Sequence, residues 1–385
     1  MFDGQSFPEI RDAIRECTVD QRNLLDEIRA DVRGLSASVR AIQPRTTTSI
    51  SLVASDGGNN KLVFDPFYVM LVRVVDSYGK QHLLDAVSPT SDTDKLSAKH
   101  LDSTGTPRTA LGRLMKDLKV QTLHELSHMI PEGKSVRETP TKVSASWVQV
   151  YRDLCEWAVL YDRICYATFA TDTLVVRDNL LRSKLFRGEL FMEMSNRMRE
   201  AIARIERQDR RRVFLVGLAK HSKVLDRYGL ALALEQVLPS GNARFVRVPR
   251  ELEKKAFVWQ EWARGVEEAG SPGEAPKFVA GDMYFVRFGP GTGDPTWIVD
   301  ILSSQSDKAH EIFGYLLADA KDGFPIPYYP RCLQKADEFA QVVGFDLDIL
   351  QSQVMSSVEE VVGEKARDAL DGFRFAPDLA GRRYR

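Results

Sequence analysis

The residues in this sequence best placed to do chemistry are acidic side chains at the ends of apolar runs. Asp56 follows the β-prone stretch 49–54 and precedes Gly57 and Gly58, whose missing side chains would let a metal ion and a phosphate approach the backbone. Asp178 closes the apolar run in TDTLVVRDN (171–179). That places a second carboxylate at the C-terminal end of a strand, where open α/β sheets build their sites. Glu156, within YRDLCEWAVLY, is a third candidate, with Asp153 and Asp162 as rivals on the same helix. Carboxylates gathered round one point raise each other's pKa values unless divalent cations sit among them. Oxygen ligands favour Mg²⁺ or Mn²⁺ over zinc. Two such ions about 4 Å apart stabilise both the attacking water and the leaving oxygen of a phosphodiester. The implied chemistry is metal-dependent phosphodiester hydrolysis.

These residues need a sheet to hold them. Residues 8–42 carry apolar positions at helical spacing (Ile10, Ile14, Leu24, Ile28, Val32, Val39), which predicts an exposed amphipathic helical arm, of the kind used in packing or dimerisation. The stretch 49–54 and the run FDPFYVMLVRVVD (64–76) predict an opening hairpin, with Gly79 in the next turn. Residues 88–107, rich in Ser, Thr, Asp and Pro, read as an exposed connection before helices at about 108–118 and 144–170. The strand 171–179 follows, then a helix over 183–210. VFLVGLA (213–219) has the continuous apolar character of a central strand, and Lys220 stands at its end. Helices at about 222–237 and 250–268, a Gly- and Pro-rich turn (AGSPGEAP), the strands MYFVRF and TWIVDIL, and helices at about 306–320 and 331–343 complete the pattern before a helical tail. Strands first, then strands alternating with helices, predict one mixed α/β domain. The expected division is an N-terminal helical arm at 1–45, the main domain at 46–345 with a helical insertion at about 222–275, and a C-terminal helical tail at 346–385.

Bulk properties narrow the classes. The 385 residues are 43% hydrophobic, enough for a full core. No run approaches the roughly 20 apolar residues that span a bilayer, and the start MFDGQSFPEI has no secretory layout. A cytoplasmic protein with no membrane association is expected. Cys17, Cys155, Cys165 and Cys332 are scattered without CxxC spacing, so neither a disulfide framework nor a cysteine zinc site is predicted. With 53 basic and 54 acidic residues the net charge is -1, so any grip on nucleic acid must be local. Arg182, Lys184 and Arg187 form one candidate patch. Two further groups, Arg210, Arg211 and Arg212, and the tail Arg382, Arg383 and Arg385, read first as solvated surface.

HELSH (124–128) matches the HExxH pattern in which two His one turn apart bind zinc and Glu acts as base. Six His in a chain of this length give on the order of one chance match per hundred chains. Pro131 and Gly133 end the helix at once, no HxxGxxH extension follows, and zinc here would leave the strand-end carboxylates unexplained. His124 and His128 are expected at the surface of a connecting helix, and a metallopeptidase is the weakest of the three functional readings.

The order of these signatures resembles the NurA-like nucleases. Members show Asp-Gly after the first strand, an acidic helix, a strand ending in Asp, a strand leading to Lys, then a late Tyr and His before the final helix. The matching residues are Asp56-Gly57, Glu156, Asp178, Lys220 in VGLAKHSK, and Tyr329 in GFPIPYYP, over about residues 49–343. The sequence departs at Asn179, where a small residue usually follows the second Asp, and at Asp337 in LQKADEFA, where the family more often has His. Asn tolerates glycine-like backbone conformations better than most residues. Asp337 can ligate a metal, as a fourth acidic ligand, but cannot act as a cationic donor to phosphate. The resemblance implies an RNase H-like mixed sheet flanked by helices, a homodimer, and Mn²⁺-dependent (or Mg²⁺-dependent) cleavage of single- and double-stranded DNA, including 5′-to-3′ exonucleolysis. It also implies partnership with a HerA-like hexameric ATPase, in DNA end processing or phage defence. Lys220 would contact phosphate or the attacking water, Tyr329 would position substrate, and His221, next to Lys220, is a further candidate for phosphate contact. The alternative reading, kept open by Asp337, is a catalytically silent adaptor for such an ATPase.

Overall fold

The computed structural model describes residues 6–45, 50–64, 67–259, 263, 277–342 and 345–363, with the backbone alone for 6, 20, 50–64, 67, 68, 141, 345 and 347. Two helices, α1 (Ser6–Asp20) and α2 (Arg22–Arg33), lead to a short strand, β1 (Arg40–Ala41). The strands β2 (Ile50–Phe64), β3 (Phe67–Asp76) and β4 (Gln81–Val87) come next. The short helices α3 (Thr93–His100), α4 (Ala110–Asp117), α5 (Leu123–Leu126) and α6 (Gly133–Glu138) precede the long α7 (Trp147–Tyr166). Strands and helices then alternate: β5 (Asp172–Asp178), α8 (Leu190–Asp209), β6 (Val213–Ala219), α9 (Lys223–Leu234), β7 (Arg244–Arg247) and α10 (Arg250–Ala256). Two strands, β8 (Gly281–Arg287) and β9 (Trp297–Leu302), are followed by α11 (Ala309–Ala320), α12 (Arg331–Ala340) and α13 (Phe345–Val362).

The strands form one mixed sheet in the order β1-β7-β8-β9-β6-β5-β2-β3-β4. Its centre is parallel: β2 pairs with β5 and β5 with β6, and the other pairings are antiparallel. Parallel strands covered on both faces need apolar side chains at every position, and every residue of β6 is buried. The two-residue period sorts these side chains. Leu174, Val176, Phe214, Val216 and Leu218 share a core with Ile312, Phe313 and Leu316 of α11 and Leu333 and Ala336 of α12. Val175, Val213 and Leu215 join the opposite core with Leu154 and Trp157 of α7 and Met194 and Met198 of α8. Each such fully buried side chain contributes about 1.5–3 kcal/mol. The sheet is thereby fixed between α7 and α8 on one side and α11 and α12 on the other. Further along, Val32 of α2 and Tyr228 of α9 cover Met283, Phe285 and Ile298.

The mixed α/β architecture expected from the sequence is the one observed, with differences that follow from pairing and capping. The first strand does not stop at ASDGG. β2 runs on through Gly57 and Gly58 because its second half pairs with β3 from Ser55↔Asp76 to Phe64↔Phe67. The connection expected at 88–107 contains α3, whose start is set by Asp92: its carboxylate caps the backbone N–H groups of Asp94 and Lys95. The segment read as a helical insertion holds α9 and α10 and also β7, which pairs with β8. The stretch AGSPGEAP and the tail arginines Arg382, Arg383 and Arg385 lie outside the described residues. Among those described, no helix is long and apolar enough to cross a membrane.

Candidate functional site

The C-terminal ends of the parallel strands β5 and β6 deliver Asp178 and Lys220 to one cavity. This cavity, of about 390 Å³, is lined by Arg152, Asp153, Glu156, Asp178, Asn179, Ala219, Lys220 and His221. Asp178 lies on the α12 face of β5, following Leu174 and Val176 at two-residue spacing. Its Oδ1 accepts from the Tyr329 hydroxyl at 3.1 Å and its Oδ2 from Lys220 Nζ at 3.2 Å. Lys220 also contacts Asp337 of α12 through Oδ2, and its ammonium sits 5.2 Å from the centre of the Tyr329 ring. Tyr329 is fully buried. Its ring lies 4.9 Å from that of Trp297, and its carbonyl accepts from Gln334 at 2.8 Å. Asp178, Lys220, Tyr329 and Asp337 are therefore brought together, from four separate segments of the chain.

Burial raises the Asp178 carboxyl above its ordinary range, and the nearby Asp337 charge adds to that, while Lys220 and Tyr329 pull it back. Burial works against the charge on Lys220, but Asp178 and Asp337 outweigh it and hold this amine above its usual value. Burial, reinforced by Asp178, pushes the Tyr329 phenol far up, so it stays protonated and donates.

Glu156 reaches the same cavity from the other face of the sheet. On α7, Arg152, Asp153 and Glu156 share a stripe by i,i+3 and i,i+4 spacing. Glu156 is 8% exposed. Its carboxylate lies 3.4 Å from Arg152 Nε and 3.5 Å from Arg177 Nη2. Arg152 also pairs with Asp153 at 2.7 Å. Burial pulls Arg177 down and Glu156 opposes the shift. The sequence reading passed over Arg152 and Arg177. The stripe on α7 and the position of Arg177 next to Asp178 on a strand end were the available signals.

Asp56 is described by its backbone alone. In the β2–β5 ladder Ser55 stands opposite Arg177, so Asp56, one residue on, lies level with Asp178 on the neighbouring parallel strand. Among the described side chains no group of three His, Cys, Asp or Glu is gathered as a metal cage. The donor chemistry nevertheless fits a hard divalent cation. Asp178 and Glu156 both line one cavity with carboxylate groups.

The remaining sequence candidates lie elsewhere. Arg182, read as a DNA contact, is instead engaged internally: it pairs with buried Asp300 at 2.7 Å and buried Glu253 at 2.5 Å. Arg187 is exposed and bonds His124 at 3.2 Å, Lys184 is exposed, and neither lines the cavity. His221 does line it. Arg212 is held by Asp172 and Glu311, both at 2.8 Å. HELSH does not form a helical zinc site. α5 ends at Leu126 and Ser127 is extended, which leaves His128 off the helix. His124 Nδ1 bonds the Ile130 carbonyl at 2.6 Å, and Glu125 belongs to the capping box with Thr122.

The turn leaving Asp178 is strained. Asn179 has φ 131°, a conformation that suits glycine, and its Oδ1 accepts from the Leu180 N–H at 2.8 Å. Across from it, a Cβ on Gly217 would fall 2.4 Å from the Asn179 carbonyl oxygen. Asn179→Ala loses the side-chain bond and keeps the strain, an expected cost of about 1–3 kcal/mol. Asn179→Gly is expected to stay within about 1 kcal/mol of the parent, since relief of strain offsets added chain entropy. Gly217→Ala should cost about 1–3 kcal/mol by overpacking. Urea unfolding of the three variants checks this order.

No family model and no curated protein matches the sequence. Among solved structures the chain is similar to the NurA nuclease from Sulfolobus solfataricus, with a TM-score of 0.42 and 12% identity over 92% of this chain and 98% of that one. It is also similar to a structure of NurA (TM-score 0.37, 14% identity, 94% and 97% covered) and to one of NurA with manganese (TM-score 0.37, 12% identity, 91% and 98% covered).

Proposed function

We propose that this chain is a metal-dependent DNA nuclease of the NurA-like kind. The observation that carries the reading is the convergence of Asp178, Glu156 and Lys220 on one cavity at the C-terminal end of the parallel strands, at the level where the β2 backbone brings Asp56. Asp178, Glu156 and Asp56 would hold Mn²⁺ or Mg²⁺, which when bound supplies charge stabilisation to a phosphodiester and a more acidic water. The chain's own groups do the rest. Lys220 offers its ammonium to the scissile phosphate, with His221 beside it as a second contact. Tyr329 holds the Asp178 carboxylate by its hydroxyl. Asp337, proposed from sequence as a fourth acidic ligand, spends an oxygen on Lys220 and keeps that ammonium at the cavity. The motif resemblance extends the proposal to a homodimer that degrades single- and double-stranded DNA, with 5′-to-3′ polarity. In that role it works with a HerA-like hexameric ATPase in end processing or phage defence.

The test is incubation of purified protein with end-labelled DNA and Mn²⁺, with EDTA as control and with and without the ATPase. Metal-dependent shortening of the label is expected; its absence in every arm sinks the proposal. The Lys220–Asp337 contact favours one second reading, a silent adaptor in which Asp337 keeps Lys220 from phosphate. ATPase binding without cleavage in the parent, with cleavage appearing on Asp337→His, would select it.

A further inference from the structure

Arg177 precedes Asp178 on β5 and points the other way, into the α7 face. Its side chain is 5% exposed. The guanidinium lies 4.2 Å from the centre of the Trp157 ring, donates to the Leu180 carbonyl at 2.9 Å, and reaches Glu156 at 3.5 Å. As a stability device this is poor. A buried guanidinium carries a large desolvation cost, and Arg177 Nε has no hydrogen-bond partner among the described residues. As a geometric device it is apt. A planar fork can bridge a carboxylate and a carbonyl at once, with its face stacked on an aromatic ring.

We infer that Arg177 is a positioning residue, which fixes the Glu156 carboxylate at the cavity and locks it to the strand end and turn that carry Asp178. The two acidic groups approach from opposite faces of the sheet, and without this bridge α7 could shift relative to β5. Arg177 touches neither substrate nor metal; it acts through Glu156, as outer partners of metal ligands do. Arg152 holds the other Glu156 oxygen from the same helix, so it orients the side chain without tying α7 to the strand.

The inference rests on the metal reading above and is tested apart from cleavage. Mn²⁺ affinity is measured on the full chain without DNA, from the electron paramagnetic resonance signal of free Mn²⁺, alongside a thermal melt. R177M is expected to bind Mn²⁺ about 10- to 100-fold more weakly. R177K, which keeps the charge but cannot bridge both acceptors, should fall between R177M and the parent. If R177M does not fold, R177K decides. A lower melting temperature with unchanged Mn²⁺ affinity makes Arg177 purely structural and overturns the inference. So does tighter binding, which would make Arg177 a competitor of the metal. A parent that binds no Mn²⁺ overturns the metal reading itself, and this role with it.

Discussion

Asp178→Asn is expected to lower metal-stimulated DNA cleavage by about 10³-fold, on the order of 4 kcal/mol of barrier, while leaving the protein as stable as its parent or more so. The substitution conserves shape. Tyr329 can still donate to the remaining carbonyl oxygen, and Lys220 keeps its contact with Asp337. What disappears is the charge, and with it the ligand that the strand end presents. Stability should not suffer, because burial makes this carboxylate costly to ionise in the fold. The sign follows. The folded chain binds this proton more readily than the unfolded chain, so Asp178 adds stability below the ordinary carboxylate range and loses it as pH rises through its raised pKa. At neutral pH the Asn variant should therefore match or exceed the parent in urea unfolding, with the advantage shrinking as pH falls. An inactive variant that is also destabilised by more than about 2 kcal/mol would mark Asp178 as a structural partner of Lys220. A variant with parental cleavage would remove it from the site.

How far the sequence reveals this arrangement depends on the scale of the signal. The central strands were legible because burial on both faces demands unbroken apolar runs, and β5, β6 and β9 fall within one or two residues of where those runs lie. Strand-end carboxylates were legible for the same reason: Asp178 is the first charge to break its run on the α12 face. β4 and β7 were not, since the edge strand QHLLDAV carries polar and charged residues and the near-edge strand RFVR has only four residues, two of them charged. Arg182 shows a second limit. Beside Lys184 and Arg187 it reads as a surface patch, and only the tertiary fold brings Asp300 and Glu253, far along the chain, against it. HELSH shows a third, because a pattern spaced for a helix carries its meaning only where the helix continues, and α5 stops after Leu126. Arg177 was hidden by its neighbour: a charge adjacent to a candidate ligand reads as part of the solvated strand end until the alternation of faces sends it into the core.

The largest loss of stability is expected from Asp300→Ala, at about 3–5 kcal/mol, the usual cost of stranding a buried charge. Asp300 is fully buried on β9. It accepts from Arg182 Nε at 2.7 Å, from Arg182 Nη2 at 2.8 Å and from the Leu181 N–H at 3.1 Å. Arg182 extends the network to Glu253 at 2.5 Å, which Arg250 meets at 3.0 Å, and Arg250 reaches Asp282 at 2.8 Å. Burial opposes the charge on Arg182, yet Asp300 and Glu253 outweigh it and raise its pKa. Removing Asp300 leaves that guanidinium with Glu253 as its one remaining carboxylate partner and the Leu181 N–H without its acceptor in the interior. The double variant Arg182→Met with Asp300→Ala removes the under-compensated cation as well and leaves Glu253 to Arg250, so it should recover part of the loss even though it deletes more interactions. Urea unfolding of the single and double variants decides the matter. If the single costs under about 1 kcal/mol, or the double is the worse of the two, the network is not what holds this segment. The segment matters to the site because residues 179–182 are the chain leaving Asp178. Asp300→Ala should therefore also loosen the strand end and weaken cleavage, whereas the double variant regains stability but not the anchor, and so separates the energetic role of these ion pairs from their part in placing Asp178.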